Sequence, residues 1–304
     1  MRRIYVLLSA LLALVLLGLP SCQPSTSSPK RSIVVTYSVL GSIVRELVGD
    51  KAEVTVSIPD GLDPHEWEPS AKDIEAINKA DLVIENGLGL EEGMKRTLAT
   101  ARSKGVKFFT ASNYVTLRHV GPGEGIPSGD PDQVIGAPDP HLWMDPIAIR
   151  SVVSALANAL MRDLNLDVAD QARDLESRLD SLNTELSSIM AQVPQEDRKL
   201  VTGHESMGYF AQRYGFKLVG VIIPGLSSQA EVSAADLAAL KKAIQDNQVK
   251  VIFTELGTSP AAARAIGEET RAKVVELTTH AVPADGSYFT FMRNIATVIA
   301  SALK

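Results

Sequence analysis

Short apolar runs of strand length alternate with segments of helical period along most of this chain, and that alternation leaves few architectures open. The strand-like runs are Ile33 to Thr36, Glu53 to Ile58, Leu82 to Glu85 and Val106 to Phe109, then Lys199 to Thr202, Leu218 to Val221, Val249 to Thr254 and Val274 to Leu277. Helical patterns follow them at about Leu40 to Val48, from Ser70, and at about Glu91 to Ser103; in the second half they fall at about Glu205 to Tyr214, Ala234 to Asn247, Pro260 to Ala272 and from Ser287. Strands alternating with helices imply parallel βαβ units. Two helix starts carry their own signals: Ser70 with Asp73 three residues on resembles a capping box, and Asp145 before Pro146 offers an N-cap followed by proline at the first helical position.

One segment breaks the rhythm. After the helix that opens at Pro146, the apolar positions Val168, Ala172, Leu175, Leu179, Leu182, Leu186, Ile189 and Val193 step by four and three, so one face of a single helix is apolar throughout. At 1.5 Å per residue, Asp167 to Val193 spans roughly 40 Å, and Pro194 ends it. A coiled-coil partner helix is the competing reading, but a lone stripe inside an α/β chain packs on its own domain more often. The expected fold is therefore α/β: two (β/α)4-type lobes with parallel sheets, residues 32–166 and 194–304, joined by one long linker helix, residues 167–193. Between Ala111 and Pro140 the pattern fails in a Gly- and Pro-rich, acidic stretch, a loop of a length usually kept for function.

The N-terminus reads as an export signal: Met1-Arg2-Arg3 is basic, Ile4 to Leu19 is nearly unbroken Leu, Val and Ala, and Leu19-Pro20-Ser21-Cys22 closes it. The apolar run is shorter than the roughly 20 residues a spanning helix needs. Residues 1–21 are expected to be a signal peptide and the Pro/Ser-rich residues 22–31 a tether. Cys22 is the only cysteine, which leaves no disulfide and no thiolate metal ligand. A net charge of −6 argues against nucleic acid, which demands a basic face. No oligomer signal stands out, so a monomer is expected.

Four of the five histidines, His65, His141, His204 and His280, fall just before a predicted helix, and all but His141 lie shortly after an apolar run. Ligands in open α/β sheets bind outside the carboxyl ends of the strands, so four imidazoles in such connections point to one metal site with two ligands from each lobe. Neutral imidazole suits zinc and other borderline divalent cations. Each ring alone has a plainer structural reading; their shared placement carries the argument. His119, beside Arg118 in the irregular loop, is expected to be an exposed loop residue, and Trp67 and Trp143 are expected to pack.

Three motifs carry a family resemblance: Asp63-Pro64-His65-Glu66-Trp67-Glu68-Pro69, His141-Leu142-Trp143-Met144-Asp145-Pro146 and His204-Glu205-Ser206-Met207-Gly208-Tyr209-Phe210. Together with the long helix and the closing Asp285-Gly286-Ser287-Tyr288-Phe289, they resemble the adhesin-type solute-binding lipoproteins of zinc and manganese ABC transporters. The resemblance implies an extracytoplasmic receptor that captures Zn2+ between two lobes and delivers it to a permease, anchored by lipid on Cys22 at the periplasmic or outer face of the cytoplasmic membrane. It implies a rigid linker helix and small lobe movements. His at position 204 matches the zinc-type members, whereas Glu stands there in many manganese-type ones. The fourth position is commonly Asp in the family and corresponds here to His280; if His280 does not bind, Asp285, Glu255 or water completes the shell. Glu66, Asp145, Glu205 and Asp285 are candidates for holding the ligand rings by their second nitrogens. An ordinary secretory peptide is the alternative to lipidation, Mn2+ or Fe2+ the alternative ion. From other classes, a zinc hydrolase with Glu205 or Glu66 as base and an adhesion module compete, but there is no His-Glu-x-x-His pair. No His-rich tract lies between Ala111 and Pro140, so a metal-gathering loop is not expected.

Overall fold

A computed structural model describes residues 30–121, 124 and 135–304. The signal peptide, Cys22 and most of the expected tether lie outside the described residues. The first half runs β1 (Arg31–Val35), α1 (Ser38–Val48), β2 (Ala52–Val56), α2 (Ala71–Lys79), β3 (Leu82–Glu85), α3 (Lys95–Ser103), β4 (Phe108–Thr110), α4 (Pro146–Leu164) and α5 (Ala169–Met190). The second half follows as β5 (Lys199–Thr202), α6 (Gly208–Tyr214), β6 (Lys217–Val221), α7 (Ala234–Asp246), β7 (Val251–Thr254), α8 (Pro260–Thr270), β8 (Lys273–Glu276) and α9 (Tyr288–Leu303). No helix among the described residues is long and apolar enough to cross a membrane.

In the first half the strands make one parallel sheet in the order β2-β1-β3-β4, with Ile33 paired to both Val54 and Leu82. β3 is buried along its whole length, as expected of a strand covered on both faces. The strands of the second half are parallel as well. β5 pairs with β6 and β7 with β8, all in parallel, as two separate ladders. β5 and β7 lie side by side, and what joins their ends is a side chain: the His204 N–H donates to Glu255 Oε1 at 3.0 Å. Val201, Val219 and Ile252 then share a small core with α7 and α8.

The helix starts form for the reasons the residues suggest. Ser70 and Asp73 complete a capping box, Ser233 and Asp236 another, and Asp145 accepts from the Ile147 N–H at 2.8 Å with Pro146 in the first turn. The helix expected from Glu91 begins only at Lys95. Gly87, Leu88 and Gly89 all take positive φ, and the buried Glu91 carboxylate accepts from Thr36 Oγ1 at 2.7 Å and from the Asn86 N–H at 2.6 Å, which holds this stretch in turns. Likewise α6 starts at Gly208 rather than Glu205, because the Glu205 and Ser206 amides donate to Gly225 and His204 carbonyls instead of entering a helix.

The long helix is slightly shorter than expected, at Ala169–Met190; of the stripe read, Ala172, Leu175, Leu179, Leu182 and Leu186 are buried, but at its last turn Met190 is buried and Ile189 only half-buried. They belong to the larger core, which also takes in α1, α4 and α9. Three ion pairs tie its outer face to those neighbours: Arg178 with Glu46, Arg150 with Asp180 at 3.0 Å, and Arg293 with Glu185 at 2.9 Å. Exposed pairs of this kind contribute about 0–1 kcal/mol each, whereas deleting a buried leucine costs about 2–5 kcal/mol. Leu182→Ala is therefore expected to lower the denaturation midpoint far more than Glu185→Ala; equal shifts would mean that the helix is held by its charges rather than by its stripe.

Candidate metal site

Each of the four histidines sits where a strand delivers it. His65 follows β2, His204 follows β5 and His280 follows β8, while His141 ends the long connection from β4 and precedes the α4 cap. All four are buried, with His141 and His204 fully enclosed. His141 Nε2 lies 3.4 Å from His65 Nε2 and 3.1 Å from His204 Nε2, and the three residues offer ring nitrogens all within 4.8 Å of one another. Nitrogens bound tetrahedrally to zinc at its usual bond length stand about 3.3 Å apart, so these separations match edges of that tetrahedron. His280 is outside that trio, but its ring stacks beside His204 at 5.7 Å between centroids and its Nε2 is buried without a partner. Trp143 fills the space between His141 and His280, at 5.2 and 6.0 Å, and its ring N–H donates to the Thr279 carbonyl. Trp67 is part of the packing around the core. His119 is exposed and forms an isolated bridge with Pro138, away from the cluster.

The carboxylates that meet the rings are Asp139 and Glu255. His141 Nδ1 lies 2.9 Å from Asp139 Oδ1, whose other oxygen takes Arg118 Nη1 at 3.0 Å; Arg118 in turn pairs with Glu124. His204 Nδ1 lies 3.1 Å from Glu255 Oε1, close enough for an ion pair though off the line of a hydrogen bond. His280 Nδ1 is 2.8 Å from Thr279 Oγ1, which donates to Glu255 Oε2 at 2.7 Å. Three of the four carboxylates expected at the rings have other partners or are exposed. Glu66 is exposed; Asp145 caps α4 and takes Arg213 through both oxygens; Asp285 is exposed and bonds Ser287 N–H and Thr290 Oγ1 at the start of α9. Glu205 is buried on the side of Asp139, Arg118 and Glu124, and burial first, then Asp139, pushes its carboxyl up to about 7.

Sequence reasoning named Glu255 only as a stand-in ligand and passed over Asp139. The signal for Asp139 was a repeat: Asp63-Pro64-His65 and Asp139-Pro140-His141 are the same tripeptide, and in each the aspartate accepts the histidine N–H at 2.9 Å. In the first copy Asp63 Oδ2 and His65 Nδ1 are buried without partners. Unsatisfied buried polar atoms cost about 1–3 kcal/mol each, and Asp63, His65 and His280 each carry one.

Burial, followed by repulsion from the other three rings, holds His65 well below the ordinary imidazole range. Burial also lowers His141 against the pull of Asp139, and brings His280 down to about 4. His204 goes the other way: burial opposes its charge, but Glu255 outweighs that and raises it. Glu255 in turn is pushed up by burial and held well below the carboxylate range by His204. A ring whose folded pKa lies below its ordinary 6.5 favours the fold while neutral, so its contribution is present above 6.5 and lost as pH falls toward about 4. The metal-free protein should therefore lose thermal stability from pH 6.5 to 4, offset partly by His204, and His280→Asn should flatten that fall; a wild-type midpoint that rises on acidification would contradict the assignment.

A family described as "Zinc-uptake complex component A periplasmic" matches residues 33–302. The zinc-binding lipoprotein AdcA of Streptococcus pneumoniae is 30% identical over 284 residues, covering 90% of this chain but only 54% of its own length, so this chain spans about half of that relative. The manganese-binding lipoprotein MntA of Halalkalibacterium halodurans is 26% identical over 281 residues, covering 89% of this chain and 88% of its own. In fold, the chain is similar to the periplasmic zinc binding protein TroA from Treponema pallidum, with a TM-score of 0.76 at 24% identity over 90% of this chain and 99% of the other. The chain belongs to the family of periplasmic zinc-uptake complex component A proteins.

Proposed function

We propose that this protein is the extracytoplasmic receptor of an ABC importer, that it captures Zn2+ with His65, His141, His204 and His280, and that it hands the ion to a permease. The observation that carries the reading is the donor set: three buried imidazoles with ring nitrogens within 4.8 Å of one another, those of His65 and His204 at tetrahedral spacing from that of His141, and a fourth ring beside them with an unpartnered Nε2. The family's members include zinc and manganese binders, so the ion follows from the donors. An all-nitrogen, neutral inner shell favours zinc, because manganese prefers carboxylate oxygen, and Asp139 and Glu255 are engaged with the rings and their neighbours rather than turned to a metal. Four protein ligands leave no open position for an activated water, which suits a carrier and not a hydrolase.

In this reading residues 1–21 direct export, Cys22 carries lipid, residues 22–31 tether the fold, and a monomer works at the outer face of the cytoplasmic membrane. The lobes 32–166 and 194–304 each bring two rings, so the ion itself clamps them, with the helix of 167–193 spanning both. A cavity of about 700 Å³ borders His65 along Leu88, Glu92, Lys95, Pro138 and Ser227 and offers the ion a way in. Release requires the permease to withdraw one ring. Protons compete for the same nitrogens, so acidification weakens the hold.

The test is a titration of metal-stripped protein with zinc against manganese, reading bound metal per chain. One zinc that manganese does not displace is expected; preference for manganese would overturn the ion, and binding of neither would overturn the receptor. Outer residues that merely orient a ligand cost 10–100-fold in affinity when lost, so His141→Ala and His204→Ala should each cost about 100-fold or more, with His119→Ala near wild type. Equal effects of all three would remove the ligand assignment.

A further inference from the structure

The second half of the site hangs on one carboxylate. Glu255 follows β7, is buried, and takes three donors: Oε1 accepts the His204 N–H at 3.0 Å, Oε2 accepts Thr279 Oγ1 at 2.7 Å, and Ser206 Oγ lies 2.8 and 2.7 Å from the two and gives its one proton to either. Gly203 makes room for it, since a Cβ there would meet Glu255 Cγ at 2.7 Å and Thr258 Oγ1 at 2.1 Å. A hydroxyl has one proton. The Thr279 hydroxyl gives its proton to Glu255, so the contact between Thr279 Oγ1 and His280 Nδ1 is made by the ring's proton, and Nε2 is left with its lone pair.

We propose that Glu255 is a positioning residue that sets, through Thr279, which nitrogen of His280 carries the proton, and so presents Nε2 of His280 as a metal donor. The proposal rests on the reading of His280 as a zinc ligand and adds the device that prepares it. Asp139 performs the same task for His141 directly. For His280 a hydroxyl is inserted, and the relay makes the tautomer depend on a group that does not touch the ring.

The relay has a consequence that a merely structural carboxylate lacks. In Glu255→Gln the amide cannot turn freely, because the His204 N–H at Oε1 requires the carbonyl oxygen there. The NH2 group then takes the place of Oε2 and donates to Thr279 Oγ1. Thr279 must now donate its own proton to His280 Nδ1, and the ring's proton moves to Nε2, where it blocks coordination. Thr279→Ser keeps the relay, and Thr279→Val removes it.

The measurement is 15N NMR of the histidine rings in metal-free protein at about pH 7.5, where an ordinary imidazole is neutral, with His280 assigned by its loss in His280→Asn. Wild type and Thr279→Ser are expected to show the proton of His280 on Nδ1, and Glu255→Gln is expected to show it on Nε2. Zinc affinity should fall about 10–100-fold in Glu255→Gln and Thr279→Val and stay near wild type in Thr279→Ser. A wild-type proton on Nε2, or one tautomer in both wild type and Glu255→Gln, would overturn the relay. If Glu255→Gln does not fold, Thr279→Val with wild-type zinc affinity overturns it equally. Reversal of the tautomer in a protein that binds no zinc would leave the relay standing and remove the receptor reading; tight zinc binding without reversal would do the opposite.

Discussion

Four imidazoles are buried together here, and most of what is unusual in this fold surrounds them: His141 Nδ1 meets Asp139, His204 Nδ1 lies beside Glu255 and His280 Nδ1 meets Thr279, while His65 Nδ1 has no hydrogen-bond partner. Asp139 and Glu255 are buried carboxylates that would be costly alone. Arg118 pairs with Asp139, and the backbone and hydroxyl donors around His204 bond to Glu255. Glycine stands where those groups need room: a Cβ at Gly208 would meet Asp139 Oδ2 at 2.3 Å and Arg118 Nη1 at 2.4 Å, as one at Gly203 would meet Glu255. The Arg118 amide donates to the Tyr209 hydroxyl at 3.0 Å, so the segment that carries Asp139 and His141 is fastened to α6 of the second half as well as to its own sheet.

The surrounding scaffold is conventional by comparison, and its rigidity matters more than its detail. The ligand-bearing connections leave the carboxyl ends of buried parallel strands, and a core that includes α1, α4, α5 and α9 fixes where those ends lie. Trp143 links the two levels: its ring touches His141, His280 and Tyr37, and its carbonyl accepts the Tyr288 hydroxyl at the start of α9. A site placed on such supports loses little to side-chain motion when an ion arrives, which is what preorganisation means energetically.

Much of this was legible before the structure. Strand-length apolar runs, the stripe from Ala172 to Leu186 and the caps at Ser70 and Asp145 report local rules, and local rules place elements. Four histidines in strand-to-helix connections pointed to one place because sheet topology sends such connections there. What stayed hidden depends on contacts across the sequence. Glu91 was expected to open a helix, yet it is buried against Thr36 and Asn86, and its hydrogen bonds delay α3. Glu255 reaches His204 from 51 residues away, and no spacing announces that. Asp139 was within reach, since its Asp-Pro-His repeats that of His65, but the repeat becomes meaningful only when the second copy's carboxylate is seen to serve the ring as well as the turn.

The measurement that bears most directly on the central claim is X-ray absorption at the zinc edge of the loaded protein. The account expects a single shell of four imidazole nitrogens at about 2.0–2.1 Å, with the outer-ring scattering of histidine and no oxygen. A shell in which a carboxylate or water oxygen replaces one nitrogen would contradict it, because His280 would then stand beside the ion instead of holding it.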